Sequence, residues 1–495
     1  MIRKSFSITA LALMCGLFMT LSAAARQTEE WDYDRIPLLI FNTTDSVMPT
    51  RTVISAPEGC AGTSITDNHY VPGSLCMVLS GDTLLQTGDY VKDVSGARIK
   101  IRGNSTGAFL NQHPYKIKLS KKVDLLRRSK DYKAKEWLLL PLYTWNVAFD
   151  GNYTNLIHEL GKQVATAIGE PWVPQSEFVN LRLNGKWQGM YYLVEAVTGD
   201  PARLNVGNGG FIIEHDVFWW KTDTYFKTEG MSTLFGYTFK SPDEDDLPPE
   251  SIEPYRAYFD EVQRRLNEHR DASDLIDYDS FARWLLAHDL LGSNDAAGTN
   301  RYLYNPSFNA ADYTASLTRT GPLWDFDSSF LADGFAVIHF SPDYYYFRLL
   351  QQPAFRNRYI DLWKELGPEV ERKVVEGMEA FREKYNPVFE ESMAMHTAVY
   401  EGAEGRYTPL DTQVDEIEKL FRKRVLLMDS LVADMEKTTA IQPVPEKRPV
   451  LTAIVAMDGR QYTPESLQRL PGGVYLLRYS DGTVKKVMRN RCSLN

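Results

Sequence analysis

The chain has 495 residues, 43% hydrophobic and 24% charged, the composition of a folded globular protein rather than a disordered or fibrous one. A formal net charge of -10 and a pI near 5.5 leave no overall basic face, which excludes nucleic-acid binding as the main function.

Arg3 and Lys4 precede an apolar run over residues 8–21 that closes on Ser22, Ala23, Ala24 and Ala25, the pattern of a secretory signal peptide. Residues 1–25 are therefore expected to be removed, and the mature chain is expected to be periplasmic, cell-surface or extracellular. No later segment offers the roughly 18 apolar residues of a spanning helix, so no transmembrane segment is expected. Cys15 lies inside the apolar run behind the bulky Met14, which argues against a lipid anchor. Of the remaining cysteines, Cys60 and Cys76 are spaced either for a disulfide or as two free thiols, and both readings stay open. No CxxC pair or close His pair accompanies them, so a zinc site is not expected.

Residues 36–119 read as β-structure, with Tyr115, Ile117 and Leu119 alternating with Lys116 and Lys118. Helical spacing follows over residues 153–168, and two apolar runs, 178–183 and 190–194, flank the hairpin turn Asn184-Gly185. From residue 252 the pattern turns helical, at 281–291, 355–366, 370–385 and 414–435. Residues 438–449 contain three prolines and read as a linker, and 450–495 read as a small β module turning at Gly472-Gly473 and Asp481-Gly482. The expected plan is a signal peptide, a main domain over 26–437, the linker and the β module. Its expected class is α+β, with a β-rich first lobe and a helical second lobe.

Three motifs carry chemistry. Arg102-Gly103-Asn104-Ser105-Thr106-Gly107 is a small-residue turn after a strand, suited either to an ordinary hairpin or to holding phosphate oxygens. Asp295 and Asn300 are five apart, the spacing a protein kinase uses between the aspartate that accepts the hydroxyl proton and a metal-binding asparagine. His288-Asp289-Leu290 with Asn294 imitates that spacing, but Asp289 falls inside a predicted helix. Leu323-Trp324-Asp325-Phe326-Asp327 sets two carboxylates at i, i+2, a pattern that serves either a solvated turn or an oxygen-seeking divalent cation.

IRGNST (101–106), PYKIKL (114–119), YTNLIHELGKQ (153–163), VNLRLNGKWQGMYYLVE (179–195), GGFIIEHD (209–216), SND with TNRYLY (293–304) and LWDFD (323–327) run in one order across the chain. In that order the chain resembles the CotH kinase family, secreted protein-kinase-like enzymes. The resemblance implies an atypical two-lobed kinase fold that binds ATP with Mg²⁺ or Mn²⁺ and phosphorylates Ser or Thr of exported proteins. It implies that Lys118, with Lys116 as the alternate, contacts the phosphates beside Arg102, Asn104 and Ser105. Asp295 would be the catalytic aspartate, and Asn300, Asp325 and Asp327 the metal ligands. Glu159 is the candidate to pair with the lysine, and Glu195 lies near the expected place of the adenine. Asn111, Gln112 and His113 stand where the family often keeps basic residues.

Residues 470–477 with Asp481-Gly482 and Lys485-Lys486-Val487 resemble a type IX secretion sorting domain, which implies contact with outer-membrane secretion machinery. An accessory β-hairpin accounts for the same residues. Two other functions stay open: a non-catalytic surface binding or adhesion protein on the kinase-like fold, and an envelope protein that processes or binds glycans.

Overall fold

The computed structural model describes residues 36–439, apart from 143–147, 150–151, 154, 208, 244–245, 249–250, 294–299, 328, 330–344, 387 and 403, together with 451–456, 460–463, 466, 470, 473–479 and 484–489. The signal-peptide reading at 1–25 and the linker residues 440–449 lie outside the described residues. Residues up to Asp434 form one compact unit, and Met435–Asn495 form a second.

The first unit begins with twelve strands: β1 Leu38–Thr43, β2 Thr52–Ser55, β3 Thr63–Thr66, β4 Val71–Leu79, β5 Asp82–Gln86, β6 Ala97–Ile101, β7 Tyr115–Val123, β8 Ala134–Pro141, β9 Ala148–Phe149, β10 Asn152–Tyr153, β11 Ser176–Leu183 and β12 Lys186–Glu195. Their alternation decides the architecture. Ala97, Ile99 and Ile101 on β6, and Tyr115, Ile117 and Leu119 on β7, are buried in one core with Trp137 and Leu139 of β8. Successive side chains of a strand point to opposite faces, so Arg98, Lys100, Lys116 and Lys118 are carried on the other face. The sheet runs β1-β11-β12-β8-β7-β6-β4-β5, and β1 also pairs with β4. Strand β1 thus lies parallel to β11 on one edge and antiparallel to β4 on the other, which closes a seven-stranded ring. The β-structure extends past the expected limit at residue 119 because the ring needs β8, β11 and β12 to cover its core.

Asn184 (φ 49°) and Gly185 (φ 75°) form the tight turn between β11 and β12, both in the left-handed region such a turn demands. The Asn184 side chain also accepts a hydrogen bond from the Thr43 backbone at 2.8 Å, tying the hairpin to the closing strand. Cys60 and Cys76 are free thiols: Cys76 is held mid-strand between Ile40 and Gln86, while Cys60 lies in the turn between β2 and β3.

A second antiparallel sheet, in the order β14-β15-β13-β16-β17, uses β13 Phe211–Asp216, β14 Tyr225–Phe226, β15 Gly236–Ser241, β16 Arg301–Asn305 and β17 Arg319–Thr320. The helices are α1 Ser105–Phe109, α2 Ile157–Ala167, α3 Glu253–Asn267, α4 Tyr278–Leu291, α5 Tyr345–Leu349, α6 Pro353–Tyr385, α7 Val388–Val399 and α8 Leu410–Thr439. Asp277 caps α4 by accepting from the backbone of Asp279 and Ser280, and Gly292 (φ 58°) ends it. The two helices expected at 355–366 and 370–385 are one helix that runs through Pro368, because Trp363, Gly367, Val370 and Val374 keep a continuous buried face across the proline. Helices pack on the outside of the barrel: the Phe178 ring lies 5.4 Å from Phe381, 4.8 Å from Tyr385 and 5.7 Å from Phe389, centroid to centroid. Helices and strands are thus mixed as an α+β fold with a barrel-like sheet. No helix among the described residues is long and apolar enough to cross a membrane.

The second unit holds β18 Leu451–Ala456, β19 Gln461–Tyr462, β20 Gly473–Tyr479 and β21 Val484–Arg489, in the order β19-β18-β20-β21. Ile454, Leu470, Tyr475 and Leu477 make its small core.

Trp137 is wholly buried in the barrel, its indole N–H 3.3 Å from the Ala134 carbonyl and its ring 4.9 Å beneath the Arg203 guanidinium. Trp137→Ala is expected to cost about 3–5 kcal/mol of stability. Chemical denaturation checks this, and a loss below about 1 kcal/mol would contradict the burial.

Candidate functional site

A cavity of about 570 Å³ opens on the outer face of the barrel, between β6, β7, β8 and β12, the second sheet, the start of α2 and the segment 324–327. Its volume lies in the range of small-molecule sites.

Arg102, Asn104, Ser105 and Lys116 line the barrel side. Ladder pairing ends at β6, where the Arg102 N–H donates to Pro114 O at 2.9 Å, and Gly103 (φ 85°) turns the chain into α1. A Cβ on Gly103 would sit 2.5 Å from Thr106 Oγ1, so a glycine is required here. Asn104 Oδ1 accepts from Ser64 Oγ at 2.6 Å and from Lys221 Nζ at 3.2 Å, which fixes the turn from two directions.

Asn300, Asp325 and Asp327 line the opposite side. Asn300 (φ 57°) stands directly before β16, and Asp325 (φ 60°) stands between Trp324 and Phe326, both with left-handed backbone. Left-handed backbone is tolerated by Asn and Asp better than by other side chains, so both sites demand these residue types for conformation as well as for chemistry. Among the described residues no three His, Cys, Asp or Glu side chains converge as a metal-binding group. Two carboxylates and an amide oxygen in one cavity nevertheless form an oxygen-only, anionic donor set, which fits a hard divalent cation. Asp295 lies outside the described residues. Its rival Asp289 is buried on α4, where it accepts from the Tyr359 hydroxyl at 2.7 Å.

Lys118, Glu159 and Glu195 do not line the cavity. Lys116 and Lys118 share one carboxylate, Glu136 on β8, at 2.7 and 3.1 Å. Glu136 stands directly opposite Lys118 in the ladder, so a cross-strand neighbour takes the lysines that Glu159 was expected to hold. Glu159 is buried on α2 and pairs with Lys162 at 2.6 Å, one turn away on its own helix. Glu195 is fully buried, paired with Arg203 at 2.8 Å and with Arg128, and it accepts from the Gln175 N–H at 3.0 Å. Asn111, Gln112 and His113 do not line the cavity either. Gln112 is buried, donating to Met190 O at 2.6 Å and accepting from the Leu142 N–H at 2.8 Å.

Several cavity residues carry no expectation from their motifs: Glu214, Asp216, Lys240, Lys221, Tyr302 and His158. In β13 the order Ile212-Glu214-Asp216 is a period-two polar intrusion into an apolar strand, and this signal marks the two acids. Lys240 Nζ lies 2.9 Å from Glu214 Oε2. Burial works against the Lys240 charge, but Glu214 and then Asp216 outweigh it and hold the ammonium well above its ordinary pKa. Burial, reinforced by Lys162, pulls His158 down to about 3, so its imidazole is neutral near pH 7.

A Cβ on Gly161 of α2 would lie 2.2 Å from Phe326 Cγ. Gly161→Ala should therefore displace Phe326 with its flanking aspartates and lose about 1–3 kcal/mol; an unchanged melting temperature with Phe326 unmoved in a crystal structure would contradict that packing. Burial raises the Glu136 carboxyl, but Lys116 and Lys118 outweigh it, leaving its pKa below the ordinary value. A depressed carboxyl contributes stability that is present above the unfolded pKa of about 4.3 and is lost as pH falls through the folded one. Glu136→Gln should accordingly flatten the acid limb of a melting-temperature profile below about pH 5. Superimposable acid limbs in variant and parent would contradict the linkage.

A family model described as CotH kinase protein matches residues 99–425. Among curated proteins no match is found.

Proposed function

The chain belongs to the CotH kinase family, and we propose that it is an exported atypical protein kinase that transfers the γ-phosphate of ATP to a Ser or Thr hydroxyl of another exported protein. One observation carries the reading: a single cavity brings Arg102 and Lys116 of the barrel together with the carboxylates of Asp325 and Asp327 and the amide of Asn300, and Lys221 and Lys240 add cations from the other wall. A triphosphate with a divalent cation needs both kinds of charge in one site.

Lys116, with Arg102, Asn104 and Ser105, would hold the phosphates; it takes the role ahead of Lys118 because it lines the cavity. Asn300, Asp325 and Asp327 would hold Mg²⁺ or Mn²⁺. When bound, the cation neutralises charge on the phosphate oxygens. Asp295 would orient the acceptor hydroxyl and take its proton. The hydroxyl oxygen bonds to the γ-phosphorus as the bond to the β–γ bridging oxygen breaks, and ADP leaves. Fixed side chains that position donor and acceptor in line supply most of the catalysis in such a transfer.

The pattern of residues 1–25 supports action outside the cytoplasm, and the small β unit supports type IX sorting through the outer membrane. ATP, the acceptor protein and the secretion machinery are the partners this reading requires.

The test is transfer of labelled γ-phosphate by the chain from Arg26 onward, with Mg²⁺ or Mn²⁺, to itself and to a Ser-rich acceptor. Asp295→Asn should lower transfer by about 10²–10⁴-fold with ATP binding retained. Absence of both transfer and calorimetric ATP binding in the parent protein would overturn the kinase reading in favour of a non-catalytic binding protein.

A further inference from the structure

Charge is unevenly placed along the chain. Residues 91–136 hold 13 Lys and Arg against four Asp and Glu, in a protein of formal net charge -10. Part of this surplus lies on the outward face of β6 and β7, where the register sets like charges directly opposite one another: Lys100 faces Lys116, and Arg98 faces Lys118. Like charges in that position destabilise a sheet. The Lys100–Lys116 rung lines the cavity, where the phosphates of the proposed nucleotide meet it. The Arg98–Lys118 rung does not line the cavity, so a nucleotide bound there leaves its charge unanswered.

Arg98 is presented by rings. Its Cζ lies 4.9 Å from the Tyr70 ring centroid and 5.6 Å from that of Tyr90, and Lys100 Nζ lies 4.8 Å from the same Tyr70 ring. Tyr70 thus joins a cation outside the cavity to one that lines it. A guanidinium held over aromatic rings keeps its N–H donors for an anion. The carboxylates of this region are outnumbered. Glu136 answers both Lys116 and Lys118. Exposed Asp93 pairs with Lys135 at 3.0 Å, and Lys135, followed by Lys92 and Arg98, pulls its carboxyl below the ordinary pKa. Lys92 is itself exposed at the rim of this face.

Two residues along a strand span about 7 Å, so the Arg98–Lys118 rung stands about 7 Å outside the rung that lines the cavity. An extended peptide covers that distance in two to three residues. We propose that Arg98 and Lys118, with Lys92 at the rim, dock an acidic segment of the acceptor protein, so that the Ser or Thr that enters the cavity carries Asp or Glu two or three positions away. The inference rests on the kinase reading for the place of the hydroxyl and adds the class of acceptor to it.

The experiment is fluorescence anisotropy on the purified protein, without nucleotide, with three dye-labelled Ser peptides whose flanks are Asp and Glu, Asn and Gln, or Lys. The acidic peptide should bind about tenfold or more tighter than the neutral one, and the gap should close at high salt because exposed charges are screened. Arg98→Gln should remove most of that preference, and Arg98→Lys should keep part of it. Unchanged melting temperature and Mg²⁺–ATP binding in Arg98→Gln show that the cavity is intact. If Arg98→Gln disturbs either, Lys92→Glu decides: a preference undiminished there overturns the assignment. Equal affinity for all three peptides also overturns it, as does tighter binding of polygalacturonate than of the acidic peptide, which assigns the face to an acidic glycan. Labelled-phosphate transfer to the same peptides separates the two readings. A binding preference with transfer to none of them overturns the kinase reading alone, whereas transfer that ignores the flanking charge overturns the acidic-acceptor inference alone.

Discussion

The pairing of β1 with both β4 and β11 is the constraint on which the rest depends. It converts a sheet into a closed ring, and closure gives every ring strand one face toward an apolar core and one face outward. The outward face of β6, β7 and β8 cannot be spent on the barrel core. It is where Lys100, Arg98, Lys116, Lys118 and Glu136 gather, and where the cavity forms. A rigid wall is the precondition for setting charges against a second sheet without spending binding energy on ordering them.

The second sheet supplies the opposite wall by the same alternation. Phe211 packs against Phe259 and Ile213 is buried, while Glu214 and Asp216 line the cavity with Tyr302 of β16. Lys240 sits among those acids, so this wall carries its own internal counter-charge. The protein thus manages an acidic surface facing a basic one by pairing each locally: Glu136 with the lysines of β7, Lys240 with Glu214. Paired charges of this kind limit the cost of removing them from water.

Much of the local structure is legible in the sequence because it rests on local chemistry. Asn184-Gly185 allows one hairpin, and the alternation around Ile117 allows one inward face. The helix from Tyr278 to Leu291 is marked by its Asp277 cap and its terminal glycine. The turn at Gly103 after β6 and the left-handed backbone at Asp325 fall where their motifs stand, since both depend on residue types that accept unusual backbone. Barrel closure is not legible, because it joins strands far apart in the chain. Nor is the partner of Lys118: Glu136 faces it only once the β7–β8 register exists, while Glu159 has the same chemistry and a helix neighbour, Lys162, that claims it. Pro368 is misleading for a related reason, since buried side chains before and after it outweigh the loss of one backbone hydrogen bond.

The tie between Thr43 and Asn184 spans 141 positions of the chain. A polypeptide that emerges N-terminus first can pair one edge of β1 with β4 early, but it cannot complete the ring until the β11–β12 hairpin is available, so the other edge of β1 stays unpaired for almost the whole length of the barrel's sequence. Such long-range pairing is slow to nucleate. The topology itself therefore postpones compaction: the ring stays open until strands from both ends of the barrel's sequence are present together.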